Sequence, residues 1–208
     1  MSEYWQNRYK NKEMIWGTEP SKTAIGAKEI FQHQNIKDIL IPGGGYGRNT
    51  KVFSDAQFKV DTIEISKEAI YLGKQWDERT NFIHGSVLDM PLTGKIYEGI
   101  YCYNLLHLFL EEDRKILIQK CYKQLKRDGL IFCTVLSEKD ESLGRGHMIE
   151  YNTFKDEKGK IVHNFTQKDM RIHFEEFNIL KIGEIQEKIM APGVGERMCN
   201  LRYILARK

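Results

Sequence analysis

The sequence predicts an α/β fold in which a mostly parallel, seven-stranded sheet is doubly wound, with helices on both faces. Short apolar segments alternate along the chain with amphipathic helical segments, which is the pattern of parallel strands and crossover helices. The segment 99–103 is continuously apolar, as expected of a strand that is covered on both faces. A length of 208 residues suits one domain that spans residues 1–208.

Individual elements follow from the positions of apolar runs and of turn-forming residues. Strands are predicted at 36–42, 59–65, 81–84, 99–103, 130–136, 179–187 and 200–206. Helices are predicted at 21–32, 47–54, 67–76, 111–125 and 167–177, with Ser66 and Thr166 as N-caps. A Pro-Gly loop at 191–199 is expected between the last two strands.

The segment from about 137 to 165 interrupts this alternation. It is polar and contains Gly144, Gly146 and Gly159, so it is predicted to be an insertion or flap instead of a crossover helix. Residues of this segment and of the last loop are expected near the carboxyl edge of the sheet. The candidates for lining a substrate pocket there are His147, Glu150, His163, Glu196 and Arg197, and Arg145 with Arg197 could hold an anion. The simpler alternative for each is a surface residue without a role in the site.

Composition excludes several classes of protein. The formal net charge is only +3 and the basic residues are scattered, so no nucleic-acid partner is expected. The four cysteines are widely spaced without a C-x-x-C pair, which argues against a metal site and a disulfide framework. The N-terminus is polar, and the most apolar stretch, 99–110, is too short to span a bilayer. We therefore expect a cytoplasmic protein without a membrane partner.

A glycine-rich turn follows the first predicted strand. Gly43, Gly45 and Gly47 form a G-x-G-x-G pattern that opens a helix, so bare backbone N–H groups can approach a ligand closely. The dinucleotide fingerprint G-x-G-x-x-G fails because position 48 is Arg, and a P-loop would need Gly-Lys followed by Ser or Thr. A plain structural turn is the alternative explanation.

An acid at the tip of the neighbouring strand strengthens the functional interpretation. Glu64 lies about 20 residues after Gly43, which is the spacing at which nucleotide-binding folds place the acid that accepts both ribose hydroxyls. A surface acid at a strand end is the simpler alternative. Together, the turn and the acid favour an adenosine-containing ligand.

These residues and several later segments resemble the class I S-adenosylmethionine (SAM)-dependent methyltransferases. The first family motif is matched by the three glycines, and its ribose-binding acid by Glu64, with Ile65 placed to pack on the adenine. The resemblance implies a Rossmann-like methyltransferase fold with an antiparallel last strand, and SAM as the cofactor.

Three further family motifs are recognisable at 85–92, 101–107 and 125–130. Many members carry an Asp where this chain has Ser86, so contact with the adenine amino group falls to Ser86, to Asp89 or to the backbone of Val87. The second of these motifs places Asn104 among the residues implied to contact the cofactor.

One departure from the family pattern concerns the position before the first glycine. Most members have an acid two residues before that glycine, whereas this chain has Ile41 followed by Pro42. The proline is similar to the thiopurine and thiocyanate methyltransferase branch. The missing acid leaves Arg48 as a possible partner for the SAM carboxylate.

The N-terminal aromatic residues are also similar to that branch and to tellurite-resistance-type methyltransferases. The resemblance implies that a segment of about 1–20, with Trp5, Tyr9 and Trp16, closes over SAM as a lid. Packing of this segment on the sheet edge is an equal and compatible alternative.

The resemblance implies methyl transfer to a small-molecule nucleophile such as a thiol or soft anion, which needs no dedicated base. An alcohol or carbon nucleophile would need one. His107 is the candidate base, with simple packing and hydrogen bonding as its alternative role. A non-catalytic SAM-binding sensor or complex subunit is the alternative function, and a nicotinamide-dependent enzyme is a third one that the failed fingerprint disfavours.

Overall fold

The computed structural model describes residues 2–10, 14–91, 94–191 and 195–208. Its centre is a seven-stranded sheet, and a separate three-stranded sheet is formed by a later part of the chain. The predicted doubly wound α/β fold is therefore confirmed. None of the helices in these ranges is long and apolar enough to cross a membrane.

The described ranges form α-helices that alternate with most of the strands. The helices are α1 (Ser2–Lys10), α2 (Lys22–His33), α3 (Thr50–Asp55), α4 (Lys67–Trp76), α5 (Glu111–Gln124) and α6 (Gln167–His173). The first five strands are β1 (Asp38–Pro42), β2 (Lys59–Glu64), β3 (Asn81–His84), β4 (Tyr97–Tyr103) and β5 (Leu125–Leu136). The remaining strands are β6 (His147–Glu150), β7 (Thr153–Lys155), β8 (Ile161–His163), β9 (Asn178–Ala191) and β10 (Gly195–Arg207).

The large sheet has the strand order β3-β2-β1-β4-β5-β10-β9. Strands β3, β2, β1, β4 and β5 pair in parallel, while β10 is antiparallel to both β5 and β9. The antiparallel last strand is thus confirmed. The chain order reverses between β1 and β4, and ligands of open α/β sheets bind outside the carboxyl ends of the strands at such a point.

The sheet separates two apolar cores. Leu40 of β1 contributes to a core shared with α5 and α6, whereas its neighbours Ile39 and Ile41 face a second core with α2 and α3. All three side chains are essentially inaccessible to solvent. This alternation along one strand is what a sheet covered on both faces requires.

Several predicted boundaries are wrong, for identifiable reasons. Helix α3 begins at Thr50 and not at Gly47, because Gly47 has a φ of +92° and cannot be helical. Strand β5 begins at Leu125 instead of Leu130, since the chain pairs with Tyr97 before a register shift and a turn through Asp128 at φ +65°.

Two further boundaries were also misplaced at the C-terminal side. Helix α6 ends at His173, four residues before the predicted end. The predicted loop at 191–199 is wrong for 195–199, which belong to β10, while 192–194 lie outside the described residues. Leu92, the last residue of the motif at 85–92, also lies outside them.

The segment 137–165 contains the small antiparallel sheet β6-β7-β8, which the sequence analysis did not predict. Its strands have only three or four residues, too few to show a clear alternation of apolar and polar positions. In β6, moreover, the apolar side chains of Met148 and Ile149 are exposed.

Candidate functional site

A cavity of about 650 Å³ lies at the carboxyl end of the parallel strands. Its walls include the turn after β1, the end of β2, the segments that follow β3 and β4, helix α1, and parts of β7 to β10. This volume falls within the range of about 300–1,000 Å³ that small-molecule sites occupy. The cavity lies where the strand order reverses, so the fold itself places it at the expected ligand position.

Two of the three predicted glycines line this cavity. Gly43 and Gly45 have φ values of +69° and +60°, which favour glycine. A Cβ atom on Gly43 would lie 2.9 Å from Leu105 Cδ1, and one on Gly45 would lie 2.9 Å from the hydroxyl oxygen of Tyr9. The turn therefore exposes backbone to the cavity in a conformation that larger residues disfavour.

Gly47 does not line the cavity, so the geometry gives it no direct contact with a ligand there. A Cβ atom on Gly47 would lie 3.0 Å from Thr50 Oγ1 and 3.2 Å from Phe82 Cζ. Its place is in the tight turn into α3. The sequence analysis overlooked Gly44, which lines the cavity and whose Cβ would lie only 2.1 Å from Thr62 Oγ1.

Glu64 ends β2 with its carboxylate in the cavity wall, where it is 6 % exposed. Its Oε2 atom accepts a hydrogen bond from the N–H of Gly45 at 2.9 Å, and its Oε1 atom accepts one from the N–H of Ser66 at 2.9 Å. Burial raises the pKa of this carboxyl, and these backbone donors oppose the shift. Each oxygen retains a lone pair for a further donor.

Residues around β3 form the next part of the wall. Ile65, Ser86 and Val87, which the family resemblance places near an adenine, all line the cavity. Asp89 does not line it: this side chain is exposed, and its backbone carbonyl accepts a hydrogen bond from Lys120 Nζ at 3.3 Å. The geometry therefore removes Asp89 from the candidate contacts and leaves Ser86 and Val87.

Asn104 and Arg48 flank the cavity near the end of β4. Asn104 lines it with a φ of +49°, and its N–H donates to the carbonyl of Thr134 at 3.0 Å. The guanidinium carbon of Arg48 lies 5.5 Å from the centre of the Tyr103 ring, and its Nη1 donates to the carbonyl of Glu19 at 3.1 Å. Among the described residues no carboxylate forms a salt bridge with Arg48, which leaves its charge available to a ligand.

The N-terminal aromatic residues cover the glycine turn. Trp5, Tyr9 and Trp16 all line the cavity, and Tyr9 packs edge-on against Tyr46 with the ring centres 6.1 Å apart. The N–H of Trp16 donates to the hydroxyl of Tyr46 at 3.1 Å. Burial, and then the nearby carboxyl of Glu64, raises the pKa of Tyr9.

Helix α1 is held in place by one glutamine. Gln6 Oε1 accepts hydrogen bonds from the N–H of Lys67 at 3.0 Å and from the hydroxyl of Ser66 at 3.2 Å. Both donors belong to the start of α4, which follows directly after Glu64. The N-terminal segment is thereby attached to the same strand end that carries the acid.

His107 lies on a short 3₁₀ turn after β4 and lines the cavity. It is 5 % exposed, and its Nδ1 atom has no hydrogen-bond partner among the described residues. Burial lowers its pKa well below the usual value, and the charges of Lys160 and Arg197 lower it further. The imidazole is therefore neutral at physiological pH.

The candidates from the insertion and the last loop separate into two groups. Arg145 and Arg197 line the cavity. The others do not: His163 is buried with Nδ1 2.8 Å from Thr153 Oγ1, and Glu150 Oε2 lies 3.4 Å from Arg114 Nη1. His147 and Glu196 are exposed elsewhere.

Sequence reasoning missed further residues that line the cavity, among them Arg8, Lys160 and Cys199. They come from α1, from the turn before β8 and from β10, and no local motif connects these positions. The only signal was the expectation that the insertion and the last loop lie near the carboxyl edge of the sheet.

The part of the chain that carries the glycine turn and Glu64 is similar to a known protein family. Residues 40–133 match the sequence model described as a methyltransferase domain. The predictions of a methyltransferase enzyme and of SAM as its cofactor are thereby confirmed. A search of curated proteins finds no match.

Solved structures with the same fold are distant in sequence from this chain. One, described by the conversion of a disulfide bond into a thioacetal group during echinomycin biosynthesis, has a TM-score of 0.79 at 14% identity, covering 100% of this chain and 93% of the other. The 1,6-didemethyltoxoflavin-N1-methyltransferase of Burkholderia thailandensis gives 0.72 at 19% identity, with coverages of 100% and 86%. TehB from Haemophilus influenzae gives 0.70 at 12% identity, with coverages of 98% and 67%. At these identities the likeness shows the methyltransferase fold.

Proposed function

We propose that this protein transfers the methyl group of SAM to a small-molecule nucleophile, a thiol or another soft anion. The observation that carries the proposal is one continuous cavity that joins the glycine turn and Glu64 to a covered region beside His107. A cofactor and a small acceptor would share this space. When bound, SAM supplies a methyl group on a sulfonium, which is itself the electrophile.

The residues present fit the cofactor. The free lone pairs of the Glu64 carboxylate would accept the two ribose hydroxyls, and Ile65 and Val87 would enclose the adenine, with Ser86 beside its amino group. The backbone of Gly43 and Gly45 lies open beside Asn104 for the remainder of the molecule. We assign the cofactor carboxylate to Arg48, whose charge no described carboxylate neutralises.

The N-terminal segment of about 1–20 would exclude water from the transferred methyl group. The aromatic rings of Trp5, Tyr9 and Trp16 already cover the glycine turn. The segment 137–165 supplies the opposite wall through Phe154 and Val162. Under this proposal residues 1–208 work as one SAM-binding domain with a lid and an insertion, because both segments face one cavity.

The environment of His107 favours a soft nucleophile. Its burial and its cationic neighbours make it a weak base, which is poorly suited to removing a proton from an alcohol. A thiolate or similar anion carries its own reactive electron pair and needs the protein mainly for positioning. In this role His107 would contact the acceptor without having to ionise.

Two further expectations belong to the proposal. Pro42 and the aromatic N-terminus support an assignment to the thiopurine and tellurite-resistance-like branch of small-molecule methyltransferases. All four cysteines, including Cys199 in the cavity wall, have free thiols, which suits a reducing cytoplasm. We expect neither nucleic acid nor a membrane as partner.

The proposal is tested by incubating the protein with SAM and a panel of thiols, halides and small anions while S-adenosylhomocysteine is measured. We expect production of S-adenosylhomocysteine above the protein-free rate with at least one acceptor. Tight binding of SAM without turnover on any acceptor would contradict methyl transfer and favour the sensor or subunit role.

A further inference from the structure

Positive charge is concentrated in the cavity wall. The cationic residues that line it are Arg8, Arg48, Arg145, Lys158, Lys160 and Arg197. The carboxylates that line it are Glu64, Asp113 and Asp156. Since Glu64 already accepts two backbone hydrogen bonds, the cavity presents more positive charge than its own acids neutralise.

Lys160 is the central member of this group. It is half-buried, and no carboxylate among the described residues forms a salt bridge with it. Asp156, in the same turn, uses its Oδ1 atom to accept hydrogen bonds from the backbone N–H groups of Lys158 and Lys160 at 2.9 and 2.8 Å. An ammonium that is partly withdrawn from water and lacks a salt-bridge partner loses solvation, and an anionic ligand beside it would restore a favourable contact.

Two other cations face Lys160 from distant parts of the chain. Burial lowers the pKa of Lys160, the charges of Arg8 on α1 and Arg197 on β10 lower it further, and Asp156 opposes the shift. Arg8 has a buried Nε atom without a partner among the described residues, and its guanidinium stacks over Trp16 at 5.3 Å. Like charges that converge on a cavity repel each other unless an anion lies between them.

The amount of free charge indicates the kind of anion. Arg197 Nη2 lies 3.0 Å from Asp140 Oδ1, so part of its charge is neutralised. Asp156 likewise offsets part of the charge of Lys160. Of the three cations Arg8, Lys160 and Arg197, this leaves about one net positive charge in the region, which matches a monoanion better than a dianion. The same wall contains the apolar side chains of Phe154, Val162 and Ile189, which can enclose an aromatic or aliphatic body.

We infer that the substrate carries a monoanionic group such as a carboxylate on an apolar body, and that Lys160 and Arg197 hold this group between the β7–β8 turn and β10. This inference rests on the proposed function, because it names the class of acceptor for the same site. The anion lies near His107, whose environment both cations already influence. Arg48 is not part of this anion site, because it is assigned to the carboxylate of the cofactor.

The test is titration of the full-length protein, saturated with S-adenosylhomocysteine, with benzoate and with its neutral analogue benzamide. Benzoate is expected to bind at least about tenfold more tightly than benzamide, as one charge-assisted interaction would give. Lys160→Met should abolish this preference, and Lys160→Arg should retain most of it. Lys155→Met, which changes an exposed lysine of the same hairpin outside this cavity, is the matched control and should leave the preference intact.

The affinity for S-adenosylhomocysteine separates failure of this inference from failure of the proposed function. Lys160→Met is expected to change that affinity by less than about twofold. An equal loss of benzoate and S-adenosylhomocysteine binding would assign Lys160 to the cofactor and overturn the inference. Wild-type protein that binds S-adenosylhomocysteine but shows no preference for benzoate would also overturn it. Protein that binds no S-adenosylhomocysteine would contradict the proposed function itself.

Discussion

The Oε2 atom of Glu64 accepts a hydrogen bond from the N–H of Gly45 at 2.9 Å, which joins the end of β2 to the turn after β1. The two sequence features that first indicated a nucleotide site are therefore in direct contact. The acid positions the turn and would also bind the ligand. Changes at either residue should affect the shape of the site together with its affinity.

Replacement of the acid tests its role in cofactor binding. Glu64→Ala should weaken SAM binding by about 1.5–3 kcal/mol, because charge-assisted hydrogen bonds to the ribose are lost. Calorimetric titration measures the change, and Glu29→Ala, an exposed acid on α2, is the control. Unchanged affinity in a folded Glu64→Ala variant would show that the acid has only a structural role.

Gly44, the cavity-lining glycine that the sequence did not single out, should tolerate a side chain poorly. Gly44→Ala places a Cβ 2.1 Å from Thr62 Oγ1, so we expect the free energy of unfolding to fall by about 1–3 kcal/mol. Gly26→Ala is the control, since its Cβ meets nothing within 4 Å and alanine favours the α2 helix. Urea denaturation of both variants gives the comparison, and equal stabilities would contradict the close packing of the turn.

The aromatic cover makes a separate prediction. Trp5→Ala and Trp16→Ala should each weaken SAM binding several-fold, about 1 kcal/mol, because apolar contact with the cofactor region is removed. Tyr71→Ala, an exposed aromatic residue on α4, should have no effect. If both tryptophan variants bind SAM as wild type does, the N-terminal segment packs on the sheet without acting as a lid.

Stability should depend on pH through a histidine outside the cavity. Burial lowers the pKa of His163 to about 3, and the charges of Arg114 and His173 also lower it. The carboxylates of Asp169 and Glu111 oppose the shift. The unfolded chain therefore binds a proton below about pH 6.5 that the folded chain does not. The stability that the neutral imidazole contributes is present above that pH and is lost as the pH falls toward 3.

The measurement is the slope of unfolding free energy against pH between 6 and 4 in denaturant titrations. His163→Gln should make the slope shallower by up to about 1.4 kcal/mol per pH unit. The packing that the variant loses lowers the unfolding free energy equally at each pH, so it does not change the slope. Identical slopes in wild type and variant would contradict a neutral, buried His163.

How much the sequence predicts depends on how local each feature is. The strand at Asn81–His84 and the N-cap of Ser66 were predicted at the positions observed, because an apolar run and a capping side chain act on their immediate neighbours. The same holds for the relation between Gly43 and Glu64, which a fixed spacing along adjacent strands determines. The start of β5 at Leu125 was not predicted, because this part of the strand depends on pairing with Tyr97, a residue distant in sequence.

The cationic part of the site could not be predicted in the same way. Lys160 lies in a polar turn that looks like solvated surface, and only the tertiary fold brings it to Arg8 and Arg197. Asp89 shows the opposite case, since it matched a motif position but faces solvent. Spacing along the chain predicts contacts within one βαβ unit. It does not predict contacts between segments that are distant in sequence, such as α1, the β7–β8 turn and β10.

Calorimetric titration of ligand-free protein with SAM, S-adenosylhomocysteine and NAD tests the central claim most directly. The account predicts binding of both adenosyl compounds in the micromolar range and no binding of NAD. Failure of both adenosyl compounds to bind would contradict a SAM-dependent methyltransferase with the site described.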